Sequence, residues 1–120
     1  MSQLFNLFSP LPLLRAFRNS LSGLGLAVKS ERAFQQEIVL MIVGVVAAFV
    51  LTDNSIERAL LIGSLAIVLI VELVNSAIEA VVDRTGTEIN SLSKRAKDLG
   101  SSAVLLSLLT AGVIWVIILV

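Results

Sequence analysis

Apolar residues in this chain gather into three long runs, with charge mostly confined to their ends. The first run, residues 38–52, carries no charge and reaches spanning length once residues 33–37 extend it. The second, 59–71, is uncharged and continues helically through Glu72 and Glu79. The third, 99–120, holds no charged residue at all. About 20 mostly apolar residues are enough to cross a bilayer as a helix. Hydrocarbon admits only helices or closed barrels, and none of these runs alternates strictly as a barrel strand would. The pattern predicts an all-α membrane protein with transmembrane helices over 33–52, 55–82 and 98–120.

The links between the spans carry helix signals. Thr52-Asp53-Asn54-Ser55 is short, so the first two spans form an antiparallel hairpin, and Asn54 followed by Glu57 reads as a capping box. The second link holds Thr85-Gly86-Thr87, with Asn90 or Ser91 as the cap of the third helix. That helix starts in water, about two turns before its apolar part. Ahead of the first span, residues 13–29 have apolar positions near helical spacing, with Arg15, Arg18 and Asn19 among them. This stretch is too short and polar to span and suits an amphipathic helix at the membrane surface. Residues 1–12 lack the charged start of a signal peptide and read as part of the mature protein.

Basic residues set the orientation. Arg15, Arg18, Lys29 and Arg32 precede the first span, and Arg84, Lys94, Arg95 and Lys97 lie around the second link. Only Arg58 is near the first. The positive-inside rule places the N-terminus and second link in the cytoplasm and the C-terminus outside.

Composition narrows the chemistry. Hydrophobic residues make up 57% and charged residues 15%, against roughly 45–50% and about 25% in soluble proteins. A soluble fold this small cannot hide so much apolar surface. Net charge is zero, which argues against general nucleic-acid binding. With no Cys and no His, any base or metal ligand is a carboxylate, hydroxyl, amide or lysine.

Glu72, Asn75, Ser76, Glu79 and Asp83 fall at i, i+3, i+4, i+7 and i+11, one face of the second span. A carboxylate at mid-bilayer costs about 2.5–3.5 kcal/mol on insertion scales, so it normally faces protein or water and marks a site. Asp83, at the helix end, reads as a supporting residue or a partner of Arg84 or Lys97. Ser30-Glu31-Arg32-Ala33-Phe34-Gln35-Gln36-Glu37 opens the first span at the same level, and Ser93-Lys94-Arg95-Ala96-Lys97-Asp98 opens the third. Carboxylates suit Mg²⁺ and lysines suit phosphate, a set that fits phosphoryl transfer at the lipid surface. No G-x-x-x-x-G-K-[ST] is present, and Gly23-Leu-Gly25 lacks the third glycine of a dinucleotide fingerprint.

The run Glu72-Leu-Val-Asn75-Ser-Ala-Ile-Glu79-Ala-Val-Val-Asp83-Arg84 resembles the signature of the small prokaryotic diacylglycerol kinases. The stretches Ser30 to Glu37 and Ala96-Lys97-Asp98-Leu99-Gly100-Ser101 are similar to that family's other two motifs, in the same order. The resemblance covers nearly all the chain after Leu14 and implies a homotrimer with sites shared between subunits near the cytoplasmic face of the inner membrane. It implies ATP as cosubstrate and Mg²⁺ as metal. Glu72 is then the general base that takes the lipid hydroxyl's proton, and Glu31 and Glu79 hold Mg²⁺, with Asn75 orienting groups around it. Lys97 and Asp98 contact the nucleotide, and Glu88, Ile89 and Asn90 border it. Ala33, Phe34, Gln35, Gln36, Glu37 and Ser101 fall where the lipid lies, beside Glu72. The N-terminal arm departs from the best-known members, with Asn19 before Ser20 and prolines at 10 and 12.

Two other readings are open at this level. An undecaprenol kinase of the same family shares the chemistry, but Gln35-Gln36-Glu37 is closer to the diacylglycerol branch. A small transporter or regulatory subunit also uses intramembrane acids, yet it has no need of Glu31 and Lys97 at the depth of Glu79.

Overall fold

The structure is a computed structural model and describes residues 2–86 and 90–120. All regular elements among these residues are helices: α1 (Ser2–Leu7), α2 (Leu11–Ser30), α3 (Arg32–Leu51), α4 (Ser55–Arg84) and α5 (Ser91–Leu119). Three of them, α3, α4 and α5, are long and apolar enough to cross a membrane. The chain divides into two compact units, Met1–Glu31 and Arg32–Val120.

In the first unit, Pro12 stands in the first turn of α2, where a missing N–H costs nothing. The helix stops at Glu31, whose extended backbone (φ −98°, ψ 104°) breaks the helical path while its N–H still donates to the Ala27 carbonyl, 3.0 Å away. The short α1 was not expected from the sequence, since residues 1–12 carry no helical periodicity or cap.

In the second unit α4 packs along both α3 and α5. Its buried residues, Leu61, Ser64, Leu65, Val68, Glu72 and Asn75, recur at helical spacing along one face. The facing helices offer small residues, Gly44 and Ala48 on α3 and Gly100, Ser107 and Ala111 on α5. Lipid supplies no hydrophobic drive between helices, so contact depends on backbones approaching closely. A Cβ at Gly44 would overlap the Leu65 side chain, and one at Gly100 would overlap Asn75 Oδ1.

Polar contacts fix the helix register. Trp115 Nε1 on α5 donates to the Leu61 carbonyl and to Ser64 Oγ on α4, each at 3.2 Å. Ser64 Oγ in turn donates to the Leu61 carbonyl at 2.7 Å. A tryptophan in a span thus has its N–H fully used.

The α3–α4 turn is held by its own side chains. Asn54 Oδ1 accepts from the N–H groups of Ile56 and Glu57 at 2.9 and 3.1 Å. The return half of the expected capping box is relayed: the Asn54 N–H donates to Thr52 Oγ1, and that hydroxyl donates to Glu57. Arg58 closes the end of α3, donating to the Thr52 and Phe49 carbonyls at 2.8 and 3.0 Å, with Asp53 at 3.4 Å. Its guanidinium lies 4.4 Å from the Phe49 ring centre. At the other end, α4 gives way at Gly86, whose φ of 113° suits glycine. Asn90 caps α5 through Oδ1, accepting from Leu92 and Ser93.

Two substitutions test this packing. Trp115→Phe keeps the ring and removes the donor, so unfolding in detergent should be easier by about 0.6 kcal/mol, the mean for interhelical bonds in membranes. Gly100→Ala should cost about 1–3 kcal/mol through overpacking and shift the Asn75 side-chain amide resonances. Ser101→Ala, at an exposed position, should do neither.

Candidate functional site

The acidic face of α4 divides by depth. Glu72 is 6% exposed and Asn75 is 7% exposed, whereas Glu79 and Asp83, one and two turns further, are exposed. The helix carries its acids from a packed interior to an open end.

Glu72 does not meet hydrocarbon. The carboxyl of Glu37, from α3, stands within hydrogen-bonding reach of it. Glu37 is half-buried and its Oε2 has no hydrogen-bond partner. Two carboxyl groups this close hold a proton or a cation between them, because two bare like charges repel strongly in a low-dielectric setting. The sequence alone does not announce this pairing, since there Glu37 falls only among the residues near the lipid. A signal for it exists: Glu37 is the sole acid of the first expected span, and Glu72 is the deepest acid of the second.

One turn along α4, Asn75 sits where α4 and α5 come closest, against Gly100. Its Nδ2 donates to Glu79 Oε1 at 3.4 Å, and its Oδ1 is buried without a hydrogen-bond partner. The amide therefore turns its donor toward the exposed carboxylate and its acceptor into the helix interface. Gly100 was not singled out from the sequence; only the contact reveals it.

The charged ends of α4 and α5 are tied together. Lys97 Nζ lies 2.6 Å from Asp83 Oδ1, so Asp83 pairs with Lys97 rather than Arg84. Lys94 pairs with Asp98 one turn on, at 2.7 Å. Both lysines precede the uncharged run of α5. The hydrogen bond to its carboxylate partner, then the charge of that partner, raises each lysine's pKa above the ordinary value. Lys97 and Asp98 are thus held in place by partners of opposite charge, and an incoming phosphate would compete with Asp83 for Lys97.

Among the remaining sequence-derived candidates, Phe34 is buried while Ala33, Gln35, Gln36 and Ser101 are exposed. Phe34, Glu37, Met41, Gly44 and Ala48 follow one inward-facing stripe of α3. Asn90 is the cap of α5, and Glu88 and Ile89 lie outside the described residues. Glu31 belongs to the N-terminal unit and Glu79 to the other.

Among the described residues no three acidic side chains converge as a metal cage. Magnesium needs none: it keeps several waters and is usually bound by one or two carboxylates plus substrate phosphates. Glu79, exposed and oriented by Asn75, has the donor chemistry for that role.

The profile of the prokaryotic diacylglycerol kinase family matches residues 18–119. The chain is 49% identical over 107 residues to the diacylglycerol kinase of Escherichia coli K12, covering 89% of this chain and 88% of that one. The diacylglycerol kinase of Pseudomonas aeruginosa is 46% identical over 107 residues (89% and 87%), and that of Haemophilus influenzae 44% over 103 (86% and 87%). Identity this high along almost the full length of both partners allows one assignment: the chain belongs to the prokaryotic diacylglycerol kinase family.

Proposed function

We propose that this protein transfers the γ-phosphoryl group of ATP to the hydroxyl of diacylglycerol, giving phosphatidic acid at the inner surface of the bacterial cytoplasmic membrane. The observation that carries the reading is Glu72, a carboxyl buried on a spanning helix and met by a second carboxyl, in a chain of this family.

The lipid hydroxyl gives its proton to the Glu72 carboxylate as its oxygen forms a bond to the γ-phosphorus. The bond from that phosphorus to the β,γ-bridging oxygen breaks, and ADP leaves with the electron pair. Burial of Glu72 keeps water from competing for the phosphoryl group. Glu37 sets the charge state around it, since a proton held between the two carboxyls must be on the partner when Glu72 accepts one.

Asn75 Nδ2 aims the Glu79 carboxylate. Glu79, with Glu31, would hold Mg²⁺, which neutralises charge on the ATP phosphates. Lys97 binds the phosphates by exchanging Asp83 for them, and Asp98, Glu88, Ile89 and Asn90 border the nucleotide. Ala33 to Glu37 and Ser101 line the lipid. A homotrimer, with each site shared between neighbouring subunits, supplies the enclosure that a single chain with such open helices lacks. The positive-inside rule supports cytoplasmic placement of the N-terminus and second link.

The test is purified protein in detergent with labelled ATP and a panel of lipid alcohols, separated by thin-layer chromatography. Label should appear on diacylglycerol and vanish when EDTA removes Mg²⁺; label on undecaprenol alone overturns the substrate. Glu72→Gln should lower turnover by about 10²–10⁴-fold, the range for a lost general base, without loss of the trimer on crosslinking. Lys97→Met should raise the KM for ATP about ten- to a hundredfold, as expected for a lost charge-assisted hydrogen bond. Near-normal turnover of Glu72→Gln removes it from the base role.

A further inference from the structure

The match to the family begins at residue 18 and leaves the first turns of α2 outside it. That part of the molecule has a charge pattern of its own. Residues 1–30 contain Arg15, Arg18 and Lys29 and no Asp or Glu. A chain with zero net charge thus begins with a wholly cationic segment.

On α2 these cations are not scattered. At about 100° per residue, Arg15, Arg18, Ser22 and Lys29 fall within an arc of roughly 60°. Leu13, Leu14, Phe17, Leu21, Leu24 and Val28 occupy a separate arc of roughly 100° beside it. Leu13 is 75% exposed and Phe17 62%. Arg15, Arg18 and Lys29 are exposed too, and none forms a salt bridge among the described residues. Elsewhere the exposed lysines of α5 do find carboxylates. The only residue between the end of α2 and the first spanning helix is Glu31, so α2 ends where that span begins.

An apolar arc of this width serves equally well on any bilayer. A flanking row of cations with no compensating acid does not: it is favoured only where the lipid headgroups carry negative charge. We infer that the basic edge of α2 selects an anionic phospholipid surface, with Arg15, Arg18 and Lys29 at the phosphate level and Phe17 and Leu21 below it. Headgroup charge then governs how deeply the N-terminal unit is seated. Each cation contributes about fivefold to that partition, and salt weakens it.

The chain has no cysteine, so one placed in α2 reports without background. Full-length Leu21→Cys protein carrying a nitroxide is reconstituted, without ATP, in phosphatidylcholine vesicles and in vesicles that also contain phosphatidylglycerol. Access of the neutral relaxant Ni-EDDA should fall by about fivefold or more in the anionic vesicles. The fall should disappear at about 1 M salt, where the Debye length is about 3 Å. In the Arg15→Gln/Arg18→Gln/Lys29→Gln background the two vesicle types should give one accessibility, equal to that in phosphatidylcholine alone. Equal access in both vesicles before those substitutions overturns the inference and leaves apolar anchoring. Composition dependence that survives them overturns it as well. A third arm adds ATP to the phosphatidylcholine vesicles; a fall matching that in the anionic vesicles assigns the cations to nucleotide phosphates instead.

Discussion

A carboxyl group on an apolar helix has to be met by something other than hydrocarbon, and the second unit is arranged around that demand. Glu72 sits on the inward face of α4, in line with Leu61, Leu65 and Val68. Facing lipid, its burial would work against insertion. Facing α3, it meets Glu37. The cost is thereby turned into a local property, two carboxyls whose like charges repel strongly unless one is neutralised. The same inward face that packs the bundle also holds its buried carboxyl.

Close packing follows from that choice. Asn75, next on the face, reaches Glu79 with its amide only because α5 comes past it at a glycine. At the opposite end of α4, a large side chain performs the complementary task. Trp115 fills space beside Leu65 and uses its N–H on Leu61 and Ser64. Small residues set the distance between helices, and the indole bond sets the register. Both are needed, since lipid tails are no worse a solvent for leucine than another helix is.

Much of this was legible in the sequence because a bilayer simplifies the code. Length and polarity alone locate α3, α4 and α5, and Asn54 and Asn90 carry helix caps that any chain would use. The acidic face of α4 was legible for the same reason: a carboxylate within a span is costly wherever it points. What pairing each acid finds is another matter. Glu37 and Glu72 are separated along the chain by a hairpin, and their meeting depends on how far α3 slides along α4. Gly100 is equally silent in one dimension, because a glycine's importance lies in the neighbour that would collide with a Cβ. The relay from Asn54 through Thr52 to Glu57 shows the limit at short range as well. The motif was readable, but a nearby hydroxyl intercepted its second half.

Zero net charge conceals a strong segregation. The hairpin brings the start of α3, the end of α4 and the start of α5 to one end of the bundle, and Arg32, Arg84, Lys94, Arg95 and Lys97 collect there. At the other end stands Arg58 alone, with two of its donor groups spent on the carbonyls that end α3. A cation consumed in this way caps a helix dipole and offers little to an external anion. The acids divide likewise: Glu72 and Glu37 are turned inward, while Asp83 and Asp98 neutralise lysines at the surface. An external anion would have to displace those carboxylates from the lysines of α5. Arg15, Arg18 and Lys29 have no such partners among the described residues, and no carboxylate has to be displaced before an external anion meets them.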